Sequence, residues 1–127
     1  MQTHKEIKDL IGQTLTEADG EVGYYEITFK TTEGKTYKLL HFSDCCEEVK
    51  VEDICGKMSD LVGSPIVQAE ENSSKENPPG VTKADQDSFT WTFYRLATAK
   101  GQVVIRWYGE SNGYYSEEVY FVEETPR

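Results

Sequence analysis

The stretch Arg106-Trp107-Tyr108-Gly109-Glu110-Ser111-Asn112-Gly113-Tyr114-Tyr115 sets a guanidinium, several aromatic rings and short polar side chains around a Ser-Asn-Gly turn. Guanidinium forks bind phosphate through paired N–H groups, rings stack on bases, and Ser or Asn beside a glycine turn gives directional hydrogen bonds. Upstream, SFTWTFYRLAT adds Trp91, Tyr94 and Arg95. The candidate ligand-binding set is therefore Trp91, Tyr94, Arg95, Arg106, Trp107, Ser111, Asn112, Tyr114 and Tyr115. Arg95 continues the alternation of Phe89, Trp91 and Phe93, and Arg106 that of Val104 and Tyr108, so both are expected within aromatic-rich strands. An arginine so placed needs a negative partner, because a buried unpaired charge is strongly unfavourable. That partner is either one of the chain's own carboxylates or a phosphate from outside, and both readings stand.

A second group of reactive side chains lies in HFSDCCEE. His41, Cys45 and Cys46, with Cys55 further on, are metal-ligand types, and an imidazole near a thiol also suits nucleophilic chemistry. Against both stands the spacing: adjacent cysteines rarely reach one ion together, and the paired short spacings of structural zinc sites are missing. A packed turn with buried cysteines is the simpler expectation. The acidic residues come as neighbours, Glu47-Glu48, Glu52-Asp53, Glu70-Glu71, Glu117-Glu118 and Glu123-Glu124. Neighbours on a strand point to opposite faces, so such pairs read as charged strand edges rather than acid–base dyads. The alternative is a negative surface that competes for a basic groove on a partner. No phosphate-cradling glycine loop, HExxH or GxGxxG is present, and no cofactor is expected.

These side chains must be positioned by short elements. Ile7, Leu10 and Ile11, closed by Gly12, predict a helix over residues 4–11. YYEITFK and KTYKLL alternate around Glu33-Gly34-Lys35 and predict a β-hairpin. Val49 and Val51 predict a short strand, and Ile54, Met58, Leu61 and Val62 a second helix ending at Gly63. SPIVQAEE predicts a strand with Pro65 at its start. Residues 72–87 are polar, carry Pro78-Pro79-Gly80 and read as a long loop, in which Asn72-Ser73-Ser74 is loop polarity rather than a glycosylation site. The last third predicts a meander of consecutive antiparallel strands turning at Lys100-Gly101 and Ser111-Asn112-Gly113. Phe89, Trp91 and Phe93 share one face of its first strand.

The chain of 127 residues has the size of a single domain, residues 1–127. It carries 23 acidic and 13 basic residues, a formal net charge of −10. That field repels bulk nucleic acid and anionic membranes, while favouring solubility and a basic protein partner. No apolar run is long enough for a membrane span, and the polar opening MQTHKE lacks the pattern of an export signal. Three cysteines, two adjacent, argue against a secreted disulfide framework and for a reducing cytoplasm.

DCCEEVKVEDICG, DLVGSPIVQAEE and TWTFYRLATAKGQVVIRWYGESNGYYSEEV together resemble a family of small phage and prophage proteins, over residues 36–122. No catalytic or binding residue carries over from it. The resemblance implies a counter-defence protein in the host bacterial cytoplasm. Its size is similar to that of anti-Thoeris sponges, which sequester cyclic ADP-ribose-type signals, and acidic phage proteins also include anti-CRISPR inhibitors. The expected fold is α+β, an antiparallel sheet of about six or seven strands with two short helices on one face. The expected function is non-enzymatic sequestration of a small anionic, nucleotide-like signal by a homo-oligomer, most simply a dimer. The alternatives are an acidic inhibitor of a basic host protein and, third, a Cys/His zinc protein or hydrolase.

Overall fold

A computed structural model of the chain describes residues 1–83 and 86–125. Among these residues there are nine strands and no α-helix: β1 (Gln2–His4), β2 (Leu15–Asp19), β3 (Glu26–Thr31), β4 (Thr36–Leu40), β5 (Glu48–Cys55), β6 (Gln68–Ser74), β7 (Ser88–Thr98), β8 (Gly101–Ser111) and β9 (Tyr120–Glu124). They form two antiparallel sheets, one ordered β1-β9-β4-β3-β2 and the other β5-β8-β7-β6. The α+β expectation is thus corrected to a nearly all-β protein of two sheets.

Both predicted helices are single 3₁₀ turns, Ile7–Leu10 and Met58–Leu61. An i, i+3 apolar pair fits one 3₁₀ turn as well as it fits an α-helix, and four residues make too few bonds to sustain an α-helix. Ile7, Leu10 and Leu61 are buried, while Ile11 is exposed and Ile54 lies at the end of β5.

The β3–β4 hairpin forms where alternation predicted it. Ile27, Phe29, Tyr37 and Leu39 point inward, and Gly34 takes the positive φ of 82° that its turn requires. One core lies between the sheets. Ile27, Phe29, Leu39 and Phe121 come from the first sheet, and Val49, Val51, Leu96, Val103, Ile105 and Trp107 from the second. Tyr37 and Phe121 stack at 5.2 Å between ring centres.

The meander needs a second correction. β7 and β8 pair along their whole length, but β9 leaves that sheet and lies between β1 and β4. After the turn at Ser111-Asn112-Gly113 the chain crosses from one sheet to the other through residues 112–119. Gly109 marks where it passes, since a Cβ there would lie 3.0 Å from the Glu117 carbonyl oxygen.

On β7 the two rows fall on opposite faces as alternation predicted, and burial says which of them goes inward. Its inward row is Thr90, Thr92, Tyr94, Leu96 and Thr98, all buried, while Phe89, Trp91, Phe93 and Arg95 stand on the outer face. β6 begins later than SPIVQAEE suggested and runs on through Asn72-Ser73-Ser74, so the loop starts at Lys75. Within that loop, residues 84–85 lie outside the described residues.

Candidate functional site

The sheet places the predicted ligand-binding residues in different surroundings. Trp91 and Arg106 meet on the outer face of the β5-β8-β7-β6 sheet, with the guanidinium carbon 5.2 Å from the Trp91 ring centre. Tyr94 and Trp107 lie in the core on the opposite face. Arg95 is exposed on the outer face of β7. Ser111 turns inward and bonds Glu117, whereas the Asn112 side chain accepts the Tyr114 backbone N–H at 2.9 Å and so shapes the turn. Tyr114 is 87% exposed and touches Tyr115 edge-on, and Tyr115 lines the cavity around Glu117.

A bulge decides what Arg106 meets. Val51 pairs with Trp107 and Asp53 with Arg106, leaving Glu52 as the extra residue of β5. A bulge re-aims the side chain it carries, and here the Glu52 carboxylate accepts from Arg106 Nε at 2.9 Å and Nη2 at 3.3 Å. Asp53 adds a carboxylate oxygen at 3.9 Å. The guanidinium fork is therefore held by the chain's own acids.

The loop after β6 closes this outer face. Trp91 Nε1 donates to Asn77 Oδ1 at 3.0 Å, Asn77 and Gln86 exchange amide bonds at 2.9 and 3.0 Å, and Gln86 donates to Tyr108 Oη at 2.7 Å. Lys83 Nζ lies 4.6 Å from the Tyr108 ring centre, and the Trp91 and Tyr108 rings are 4.5 Å apart. Burial, followed by the hydrogen bond to Glu110, pushes the Tyr108 hydroxyl up to about 12. Trp91 has no exposed surface, so no base can stack on it while the loop is in place.

The HFSDCCEE segment is an exposed turn and not the packed one expected: Phe42, Ser43, Asp44, Cys45 and Cys46 are exposed, and only the His41 and Glu47 side chains are buried. His41 Nδ1 donates to the Glu118 carbonyl at 2.7 Å, and its Nε2 lies 3.1 Å from Glu47 Oε1. The Asp44 backbone N–H also bonds Glu47. That bond, then His41 and the Cys45 N–H, outweigh burial and hold the carboxyl below its ordinary range. Cys45 and Cys46 are joined to each other in a disulfide that links no two elements, and Cys55 is free and exposed on β5. Among the described residues no group of three or more His, Cys, Asp or Glu side chains is arranged to hold a metal ion. His41, Cys45, Cys46 and Cys55 are thus not gathered into one ligand set.

Glu117 is the functional-type residue that strand parity and pairing did not disclose. It is buried beneath the crossover, where Thr90 Oγ1 donates to Oε1 at 2.7 Å, Ser111 Oγ donates to Oε2 at 2.5 Å, and Lys75 Nζ lies 3.6 Å away. Burial pushes this carboxyl up, but the hydroxyls of Ser111, Thr90 and Ser88, with Lys75, more than offset it and leave the group below its ordinary range. The signal available in sequence was the row of hydroxyls on β7, Thr90 and Thr92, which calls for a polar partner on its side of the strand.

Two cavities open along β6, the outermost strand of its sheet, on the side where the segment from His4 through the 3₁₀ turn Ile7–Leu10 packs against it. One of about 600 Å³ is bounded by His4 to Lys8 on one wall, Ala69 to Asn72 on the other, and Val119 to Phe121. The second, about 520 Å³, holds Glu117, Lys75 and the hydroxyls of Ser73, Thr90 and Thr92. Glu71 and Val119 wall both, so together they form a seam along β6. Glu6, Glu70, Glu71 and Glu118 stand along it and are exposed, against Lys5, Lys8 and Lys75. In the core beneath Val119, burial followed by Glu71 raises the Tyr94 hydroxyl well above its ordinary value. Neither Arg95 nor Arg106 lines these cavities.

Fold and seam together define a two-sheet antiparallel β-protein with one open, acidic side. Residues 8–121 match the model of the family described as domain of unknown function (DUF7448), and the chain belongs to that family. No curated protein and no solved structure matches the chain. Among the described residues no helix is long and apolar enough to cross a membrane.

Proposed function

We propose that the protein acts by binding rather than by catalysis, offering the acidic seam along β6 to a basic surface of a partner protein. The carrying observation is the contrast in satisfaction. The cation with the best geometry for anions, Arg106, is already held by Glu52, and Glu6 is paired with Lys8 at 2.9 Å, while Glu70, Glu71 and Glu118 line an open seam with no ion-pair partner among the described residues. A net charge of −10 gives such a surface both attraction at a distance and rejection of polyanions. In a phage setting, with the host bacterial cytoplasm as the compartment, this is the chemistry of an inhibitor that covers a basic groove.

The test is a titration with a lysine-rich peptide at rising salt. Binding should weaken steeply with ionic strength, and reversing Glu70 and Glu71 to lysine should abolish it. Binding indifferent to salt and to both substitutions would refute the proposal.

A second reading, sequestration of a small nucleotide-like anion, is favoured by Arg106 over Trp91 and Lys83 over Tyr108. It requires the 75–87 loop to lift and a phosphate to replace Glu52 at the guanidinium. A thermal-stability screen against cyclic nucleotides and ADP-ribose derivatives tests it. A ligand-induced shift lost in Arg106→Ala supports it, and no shift with any ligand removes it.

A further inference from the structure

The seam has a property that charge alone does not describe. β6 pairs with β7 on one side, and among the described residues no strand lies on its other side. An edge strand in this position presents a row of N–H and C=O groups ready to pair with another extended chain. The beginning of β6 is occupied, because Ile66, just before it, exchanges backbone bonds with Gly12 and Gln13. Glu70, Glu71, Asn72 and Ser73 are exposed, and three of these, Glu70, Glu71 and Asn72, border the larger cavity. Resting on the binding proposal above, we infer that the seam takes up an extended segment of its partner as a fifth strand beside β6, with a lysine or arginine of that segment set against Glu71.

Charge selects this occupant over its competitors. A second copy pairing β6 with β6 about a two-fold axis would set the Glu70-Glu71 dipeptides close together, and like charges directly opposite one another destabilise a strand pair. The sequence Gln-Ala-Glu-Glu-Asn-Ser-Ser is thus guarded against its own kind, as exposed edges commonly are. A basic strand converts the same guard into attraction. Alternation then assigns the two faces of the added strand. Ala69, Glu71 and Ser73 share the inward parity of β6, so residues of the incoming strand on that side meet Glu71 and the Val119–Phe121 wall. Residues on the other side lie beside Glu70 and Asn72. The segment that fits alternates basic and small apolar side chains over about five residues.

The experiment uses the full chain and two synthetic peptides of alternating lysine and valine. One is unmodified, and the other is N-methylated at alternate residues so that its charge is kept and its strand-pairing N–H groups are lost. Amide exchange of residues 70–74 and affinity are measured with each. The expected result is slowed exchange in β6 with the unmodified peptide, at least tenfold weaker binding of the methylated one, and at least tenfold weaker binding to Glu71→Lys. Glu71→Gln, which keeps the side-chain length, should weaken binding in the same direction and serves if the lysine variant fails to fold. Equal, salt-sensitive binding of both peptides with no protection of β6 would overturn strand addition while leaving the acidic surface as a binding site. No binding of either peptide would remove both proposals. Protection of β6 that rises with protein concentration alone, alongside a dimer in sedimentation, would make a second copy the occupant and overturn this one.

Discussion

The outer face of the four-stranded sheet and the seam along β6 use similar materials, yet one is closed and the other open. The outer face has Trp91, Tyr108, Arg106 and Lys83. The seam has His4, Tyr120, Lys5 and Glu71, with Phe42 packed against the first two at 5.9 and 5.2 Å. On the outer face the partners are internal: Arg106 has Glu52, the Trp91 indole has Asn77, and the Tyr108 hydroxyl has Gln86 and Glu110. Along β6 one side of the strand has no neighbouring strand among the described residues. What a residue type can bind is set by chemistry, but what it is free to bind is set by what the fold has already given it. The better-equipped cluster is the one whose partners are already internal.

The largest expected effect breaks the closed side. Trp91→Ala removes a fully buried ring, leaves Asn77 without its indole donor and takes the aromatic surface from beneath Arg106. It should destabilise the protein by about 3–5 kcal/mol, read as a lower urea midpoint at an unchanged denaturant slope. A shift under about 1 kcal/mol would mean that the loop and rings are not packed as a unit.

Next comes Glu117, which ties the crossover to β7 and β8. Its folded-state pKa is depressed, so its contribution is fully present above its ordinary value of 4.5 and is lost as pH falls through the lower folded value. Glu47 is depressed too and adds in the same direction. The urea midpoint should therefore fall as pH is taken below about 4.5. In Glu117→Gln, which loses charge-assisted bonds, stability at pH 7 should be lower by about 2 kcal/mol, read from the urea midpoint, and the acid limb shallower. An acid limb unchanged by the substitution would place the responsible carboxylates elsewhere.

That Glu117 has to be found in three dimensions shows where sequence stops being informative. Alternation identified β3 and β4 because one face is apolar and the other is Glu26, Thr28 and Lys30, so only one facing is reasonable. In β7 both faces look burial-worthy, one with Phe89, Trp91 and Phe93 and the other with Tyr94 and Leu96 among threonines. Parity then groups the side chains without saying which row goes inward. The answer depends on the 75–87 loop, which covers Trp91 from outside, and on Glu117, which satisfies the inward Thr90. Both come from residues more than ten positions away from those they meet. The bulge at Glu52 is equally invisible in a string of letters, although it decides what Arg106 holds. Destination was the other failure: a turn after β8 suggested a third neighbour, but Gly109 and the 112–119 crossover deliver β9 to the other sheet.

A smaller effect sharpens the comparison on the outer face itself. The Arg106–Glu52 pair is partly exposed, with side-chain exposures of 23% and 28%, so solvent screens it and its coupling should be about 1 kcal/mol in a double-mutant cycle of Arg106→Ala and Glu52→Ala. The single Arg106→Ala change should exceed that, at about 1–2 kcal/mol, because Glu52 is left facing Asp53 without a cation between them. Removing both partners should leave peptide binding at the seam unaltered. Loss of binding in the double variant would show that the two sides of the molecule are coupled.

The smallest expected effect separates two arginines that the sequence presents as equivalents. Arg95 and Arg106 both interrupt aromatic-rich strands, and on β7 Arg95 shares the outward parity of Trp91. Yet Arg95 lies opposite Val104 and Glu70 in exposed surroundings, with no carboxylate oxygen of the described residues within 4.0 Å, whereas Arg106 is anchored by the bulge. Exposed charges of this kind contribute little, so Arg95→Ala should change the stability read from the urea midpoint by less than about 0.5 kcal/mol. It should also leave the Arg106–Glu52 coupling as it was, because the guanidinium of Arg106 takes its position from Glu52 and Trp91 and not from its neighbour on the strand. A loss matching that of Arg106→Ala would join the two arginines in one charge network across the outer face. The contrast between a satisfied and an unsatisfied side would then have to be drawn between residues rather than between regions.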